Sequence, residues 1–287
     1  MPTPSVPEAA PAADTAVQVD TAATGRARRP TLVLLHGVAG NAAGLAPLVT
    51  AFEELGWPAL AWSQPGYDGT PLVEPYDLAS CAQVLARWLA AGRMGRVVLV
   101  GHSMGGMLAQ TLNAQIDTRL DAQPRSGAFE VVGLVLAHTS PAFGNTGGEF
   151  QRRFIASRTK PLDEGKSMDD IAAALVPGMM APRASDAAKE AGMATMAAVP
   201  PQTYRLAVAS ITGFDAREHL AGIRVPVLCL AAEHDATSSP PVLQRMAERI
   251  PGADYQCLPG LGHLAPIEDP QRWAAAVAAW CSRRIPA

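Results

Sequence analysis

Residues 97–110 read VVLVGHSMGGMLAQ, and the reading of the whole chain turns on them. An apolar, β-branched run stops at Gly101, and Ser103 follows between two glycines, ahead of helix-forming residues. Strand, Gly-x-Ser-x-Gly and helix in that order put a serine on a sharp, strained turn with its hydroxyl exposed. Gly101 and Gly105 remove the side chains that would collide where strand and helix pack beside the turn. Chance alone produces such a pentapeptide about 0.1 times per chain of this length and composition, so the surrounding sequence must carry the argument.

Outward from the serine, short apolar runs alternate with amphipathic ones. Strands are expected at 31–35, 58–62, 97–100, 131–137, 225–231 and 254–258, and helices at 44–55, 77–91, 104–115, 240–249 and 270–283. Asp77 suits the cap of the second helix and Gly92 its end. Strands that are apolar throughout are covered on both faces, and alternating β and α runs give an α/β fold with a parallel sheet between helix layers. Reactive groups in such sheets collect on loops beyond the carboxyl ends of the strands, where Ser103 lies. The alternation lapses over residues 141–210, which read as a helical insertion, a cap over that edge. Its methionines (Met168, Met179, Met180, Met193, Met196) are more readily core filler than ligand contacts. The core then comprises 30–140 and 211–287, behind an Ala/Pro-rich tail with a short "VQVD" strand over 1–29.

The 287 residues suffice for a substantial core, and a net charge of −3 gives no reason to expect nucleic acid or a membrane as partner. No apolar stretch approaches the roughly 18 residues of a membrane span, and the first thirty residues lack the apolar segment of a secretory signal. A cytoplasmic setting is expected. Cys81, Cys229, Cys257 and Cys281 are irregularly spaced without a CxxC, which suits neither a disulfide framework nor a metal site.

A serine needs a base, and the base a group that fixes its tautomer. His263, in LPGLGHLAPIEDP, follows the last strand, and Asp235, in VLCLAAEHDATSS, follows the one before it. The order Ser103, Asp235, His263 is that of the nucleophile-elbow hydrolases. Each residue has a plainer reading: an Asp after a strand caps a turn, and a loop His sits on the surface. Three strand-end placements in this order argue against coincidence. Backbone donors for an oxyanion are expected at Met104, where the helix starts, and at Val38, beyond the turn at Gly37. Among the other histidines, His102 adjoins the serine and suits packing, and His138 ends a strand where it is a candidate pocket residue. Gly37, His102, His138 and Leu264 are the candidate substrate contacts. His219 lies in a charged connecting segment, His234 adjoins Asp235, and Glu233 is the nearby rival acid. Without a GxGxxG or a Lys-Ser/Thr pair, the glycine-rich loop is weak support for nucleotide binding.

The motifs LLHGVAG, WSQPGYDGTP, VGHSMGG, LAAEHD and GHLAPIEDP together resemble the α/β-hydrolase superfamily over residues 30 to 285. The resemblance implies an eight-stranded, mostly parallel sheet with a helical cap after strand six. It also implies a triad of Ser103, Asp235 and His263, with Val38 and Met104 as oxyanion donors. Ser63 departs from the pattern, standing where the family often has Asp, and the N-terminus is short by about one strand. Ser103 excludes the branches with a carboxylate nucleophile. The sequence is most similar to the small esterase and 3-oxoadipate enol-lactonase group.

The expected activity is cofactor-independent, metal-free serine hydrolysis of a small carboxylic ester or lactone. Activity is expected to fall on the acid side, where a histidine base takes up a proton. Alternatives are a carbon–carbon hydrolase of aromatic ring cleavage, a perhydrolase or acyltransferase, and a non-catalytic receptor on the same scaffold, which a missing triad member would betray. Arg152, Arg153, Arg158 and Lys160 in the cap suit a substrate carboxylate. The plainer and preferred reading is a solvated helix face balanced by Asp163, Glu164, Asp169 and Asp170.

Overall fold

The structure is a computed structural model that describes residues 29–120, 128–144 and 147–286. Its strands are β1 (Thr31–Leu35), β2 (Ala59–Trp62), β3 (Gly95–His102), β4 (Phe129–Ala137), β5 (Val227–Ala232) and β6 (Asp254–Leu258). They form one sheet in the order β2-β1-β3-β4-β5-β6, every neighbouring pair parallel. The helices are α1 (Ala46–Glu54), α2 (Leu78–Ala91), α3 (Met104–Leu120), α4 (Glu149–Asp163), α5 (Met168–Met179) and α6 (Asp186–Ala197). The remaining four are α7 (Pro201–Thr212), α8 (Pro240–Arg249), α9 (Ala265–Glu268) and α10 (Pro270–Arg284).

The two-residue period of the strands sorts their side chains onto two faces. Val33, Leu35, Val97, Leu99 and Cys229 join the layer that holds Leu85 of α2, Leu108 of α3 and Leu243 of α8. Leu32, Leu34, Val98, Val100 and Leu228 join the opposite layer with Phe52 of α1 and Trp273 and Trp280 of α10. Residues 32–35 of β1, 97–100 of β3, 134–137 of β4 and 227–232 of β5 are therefore apolar throughout, because each face there has a helix layer to meet, whereas β6 (DYQCL) at the sheet edge is mixed. Asp77 accepts a hydrogen bond from Ser80 N at 2.7 Å and so caps α2.

Six strands are described, not the eight that the resemblance implied. The short strand expected at "VQVD", 17–20, lies outside the described residues. Between β4 and β5 the chain leaves the sheet for α4 to α7, with no strand among the described residues there. The two ends of this excursion are pinned together: Phe143 N donates to Phe214 O (3.0 Å) and Ala216 N to Pro141 O (2.8 Å). Among the described residues no helix is long and apolar enough to cross a membrane.

Candidate active site

Ser103 is the residue at which β3 becomes α3, and its φ is +55°. A non-glycine residue in the left-handed region costs about 1–3 kcal/mol, so the surroundings must impose the conformation. They do. Ser103 N donates to Ala137 O (2.9 Å), extending the β3–β4 ladder by one residue. Its carbonyl accepts from Gly106 N (2.9 Å) and from Thr139 Oγ1 (2.8 Å). A β-carbon on Gly101 would run into the Gly105 carbonyl, and one on Gly105 into the carbonyl of Leu35. That close approach holds α3 against β1 and β3 and leaves the serine no room to relax.

His263 reaches over the sheet edge from the loop between β6 and α9. Its Nε2 lies 3.1 Å from Ser103 Oγ, and its Nδ1 lies 2.9 Å from Asp235 Oδ2. Asp235 Oδ1 accepts from Thr237 N and Ser238 N, both at 2.8 Å. An ionised carboxylate only accepts, so His263 carries its proton on Nδ1 and presents Nε2 to the serine as an acceptor. Burial pushes the Asp235 carboxyl up, but the neighbouring His263, hydrogen-bonded to it, and the nearby His138 imidazole outweigh it. The group is held below the usual carboxylate range and stays ionised.

The loop bearing His263 is fixed on several sides. His263 N donates to Met179 O at the end of α5 (2.8 Å), and His102 Nε2 donates to His263 O (2.7 Å). Glu268 accepts from Gly262 N with one oxygen and from Ala181 N with the other, both at 3.0 Å. Burial outweighs those bonds and raises the Glu268 carboxyl. Glu233, the rival acid, accepts from Gly260 N at 2.7 Å and orders the turn leading to this loop.

His138 corrects an expectation. It does not line the cavity but lies fully buried behind Asp235. Trp273 Nε1 donates to its Nε2 at 3.1 Å, and an indole N–H can only donate. Burial holds the imidazole neutral, so its proton sits on Nδ1, 3.5 Å from Asp235 Oδ2. That contact is long. Nδ1 is buried and has no hydrogen-bond partner among the described residues. Like Ser103, His138 has a positive φ, +50°, at the end of its strand. The imidazoles of His102, His138 and His263 cluster with centroids 5.1–6.3 Å apart.

The loop after β1 is also braced. Gly37 O accepts from His36 Nδ1 (2.9 Å) and Gly40 N (3.0 Å), and Tyr67 OH donates to Val38 O (3.0 Å). Asp68 accepts from Ser63 Oγ (2.7 Å) and Ala42 N (2.9 Å). Ser63, which departs from the family pattern, is thus tied to a carboxylate five residues later. Residues 63–70 do not reach the cavity.

That cavity, about 130 Å3, opens over Ser103 and His263. Gly37, Val38, His102, Met104 and Leu264 line it, and α4 to α7 supply about half of its apolar wall, Met179 and Met196 included. Sequence reasoning gave no role to Trp273, Thr139 or Glu268, although Glu268 stands inside the quoted GHLAPIEDP.

Known proteins share the fold on which this site is built. Pimeloyl-[acyl-carrier protein] methyl ester esterase of Neisseria meningitidis serogroup B is 24% identical over 250 residues, covering 84% of this chain and 89% of that protein. A thermophilic esterase from Thermogutta terrifontis superposes with a TM-score of 0.76 at 20% identity, over 90% of this chain and 91% of its own. The enol-lactonase from Burkholderia xenovorans LB400 does so with a TM-score of 0.73 at 20% identity, over 89% and 92%. The model of the alpha/beta hydrolase family matches residues 32–276, from the first described strand into the last helix, and the chain belongs to that family.

Proposed function

We propose that this hydrolase is a cofactor-independent serine hydrolase that cleaves a small carboxylic ester or lactone through an acyl-enzyme. The observation that carries the reading is the unbroken chain from Ser103 Oγ through His263 to Asp235, built on a serine held at positive φ. Ser103 Oγ attacks the carbonyl carbon as His263 Nε2 takes its proton, and Asp235 stabilises the imidazolium that results. His263 then returns the proton to the leaving alkoxide, and the carbonyl re-forms as the acyl-enzyme. Water, deprotonated by the same nitrogen, attacks the acyl carbon, and the carboxylic acid leaves as Ser103 regains its proton.

Met104 N and Val38 N are the oxyanion donors. The first N–H of α3 has no acceptor within its own helix. For Val38 the argument runs through peptide planarity. Gly37 O is held by two donors on one side, so the N–H across the same trans peptide points the opposite way. Each such donor is worth about 3 kcal/mol of barrier. The helices α4 to α7 act as the cap, closing the cavity with apolar side chains.

A fluorophosphonate probe followed by peptide mapping tests the reading. Stoichiometric labelling at Ser103 is expected. Unlabelled active protein, or label at another residue, overturns it.

A further inference from the structure

Four cations of the helical excursion were candidates for an anion site, and the fold separates them. Arg153 pairs with Glu149 and Lys160 with Glu164, one helical turn apart on the exposed side of α4, while Arg152 donates to Gly147 O. Arg205 of α7 pairs with Asp163. Arg158 alone of the four lines the cavity, where its guanidinium lies 5.2 Å from the centre of the Phe154 ring. Among the described residues no carboxylate pairs with it, and the cavity wall contains no Asp or Glu at all.

Beside it stands Tyr204 of α7, 2% exposed, lining the same cavity with no hydrogen-bond partner for its hydroxyl among the described residues. Burial raises the phenol's pKa, and the Arg158 charge pulls it back, so the two groups share one field. A half-buried cation and a free phenol facing an apolar space lack an acceptor that the protein itself does not supply.

We propose that the substrate supplies it: the cavity takes an ester or lactone whose own chain carries one carboxylate, bound by Arg158 and Tyr204 while the reacting carbonyl lies at Ser103. The inference rests on the serine-hydrolase reading for the position of the carbonyl. One guanidinium matches a singly charged carboxylate, whereas a phosphate monoester brings close to two charges.

The test compares mono-p-nitrophenyl glutarate with p-nitrophenyl valerate, equal in chain length and differing in the terminal carboxylate. The ratio of their kcat/KM values is expected to fall roughly 10–100-fold in Arg158→Met and in Arg158→Gln, the span of a lost charged hydrogen bond. Arg158→Lys recovers part of it, and Tyr204→Phe lowers it by several-fold. A ratio that moves less than twofold in both Arg158→Met and Arg158→Gln overturns the proposal, because the guanidinium then only lays its stem on the cavity and keeps its head in water. A second readout needs no turnover. Monomethyl glutarate titrated calorimetrically into Ser103→Ala is expected to bind at least tenfold more tightly than into Ser103→Ala/Arg158→Met. Equal affinity, or no binding to either, overturns the subsite. If Ser103→Ala hydrolyses both esters as wild type does, the acyl-enzyme reading falls while the calorimetry still decides the subsite.

Discussion

The loops at the carboxyl edge of the sheet and the face of α4 that turns to solvent are built from similar polar residues and put to opposite use. At the sheet edge His36, His138, Asp235 and His263 are almost wholly buried, and each is held by short hydrogen bonds or by a neighbouring charge. On α4 the Arg153–Glu149 pair leaves its side chains 79% and 68% exposed. Burial makes a polar contact costly to leave unpaired and so fixes geometry, whereas exposure lets water replace the partner. The chemistry is concentrated where replacement is impossible. In the helical excursion Gln151, which donates to Phe143 O, and Thr203, which donates to Gly66 O, share that property.

Four changes probe this contrast, in descending order of effect. Ser103→Ala is expected to lower kcat by about 10⁴- to 10⁶-fold, measured with p-nitrophenyl esters, while the circular dichroism spectrum stays native. Acidification comes next, through His36, whose pKa burial lowers from 6.5 to about 4. Above pH 6.5 the imidazole is neutral in both folded and unfolded chains and contributes no slope. Below it the unfolded chain takes up a proton that the folded one refuses, so stability falls, by about 3 kcal/mol on reaching pH 4. Urea denaturation between pH 7 and pH 4 checks this, and His36→Gln is expected to flatten that part of the curve. If the slopes match, the burial argument fails at His36.

The third change is His138→Leu, which leaves the Trp273 indole N–H unpaired and removes the second imidazole beside Asp235 Oδ2. A loss of about 2 kcal/mol in stability is expected, along with a several-fold fall in kcat. Adding Trp273→Phe removes the orphaned donor and is expected to return part of the stability but none of the rate, as a double-mutant cycle resolves. Full recovery of the rate would mean that His138 acts only through packing. The smallest effect belongs to Arg153→Ala and Lys160→Ala on the solvent face. Each is expected to shift stability by under about 0.5 kcal/mol and activity by less than twofold.

Local features were legible from sequence because local rules govern them. The serine turn, the strand runs and the cap at Asp77 each follow from a few adjacent residues, and their boundaries agree with the structure to within a few positions. Contacts between distant segments were less so. His138 read as a pocket residue because a strand end at this edge commonly faces the ligand. Its positive φ turns it behind Asp235 instead, and no local pattern encodes that. Glu268 was invisible as the clamp between the His263 loop and Ala181, which lies 87 residues away. Ser63 stood out as a departure from the family pattern, but its hydrogen bond to Asp68 depends on how the loop folds back.

By itself the sequence determined the α/β class, the strands and the order in which a serine, an aspartate and a histidine arrive at strand ends, since periodicity and turn chemistry act over a few residues. The tertiary structure decided the rest: which imidazole stands 3.1 Å from the serine, which one braces the aspartate, and which arginine faces the cavity. Those outcomes turn on the packing of whole layers, where a difference of a single ångström separates a hydrogen bond from none.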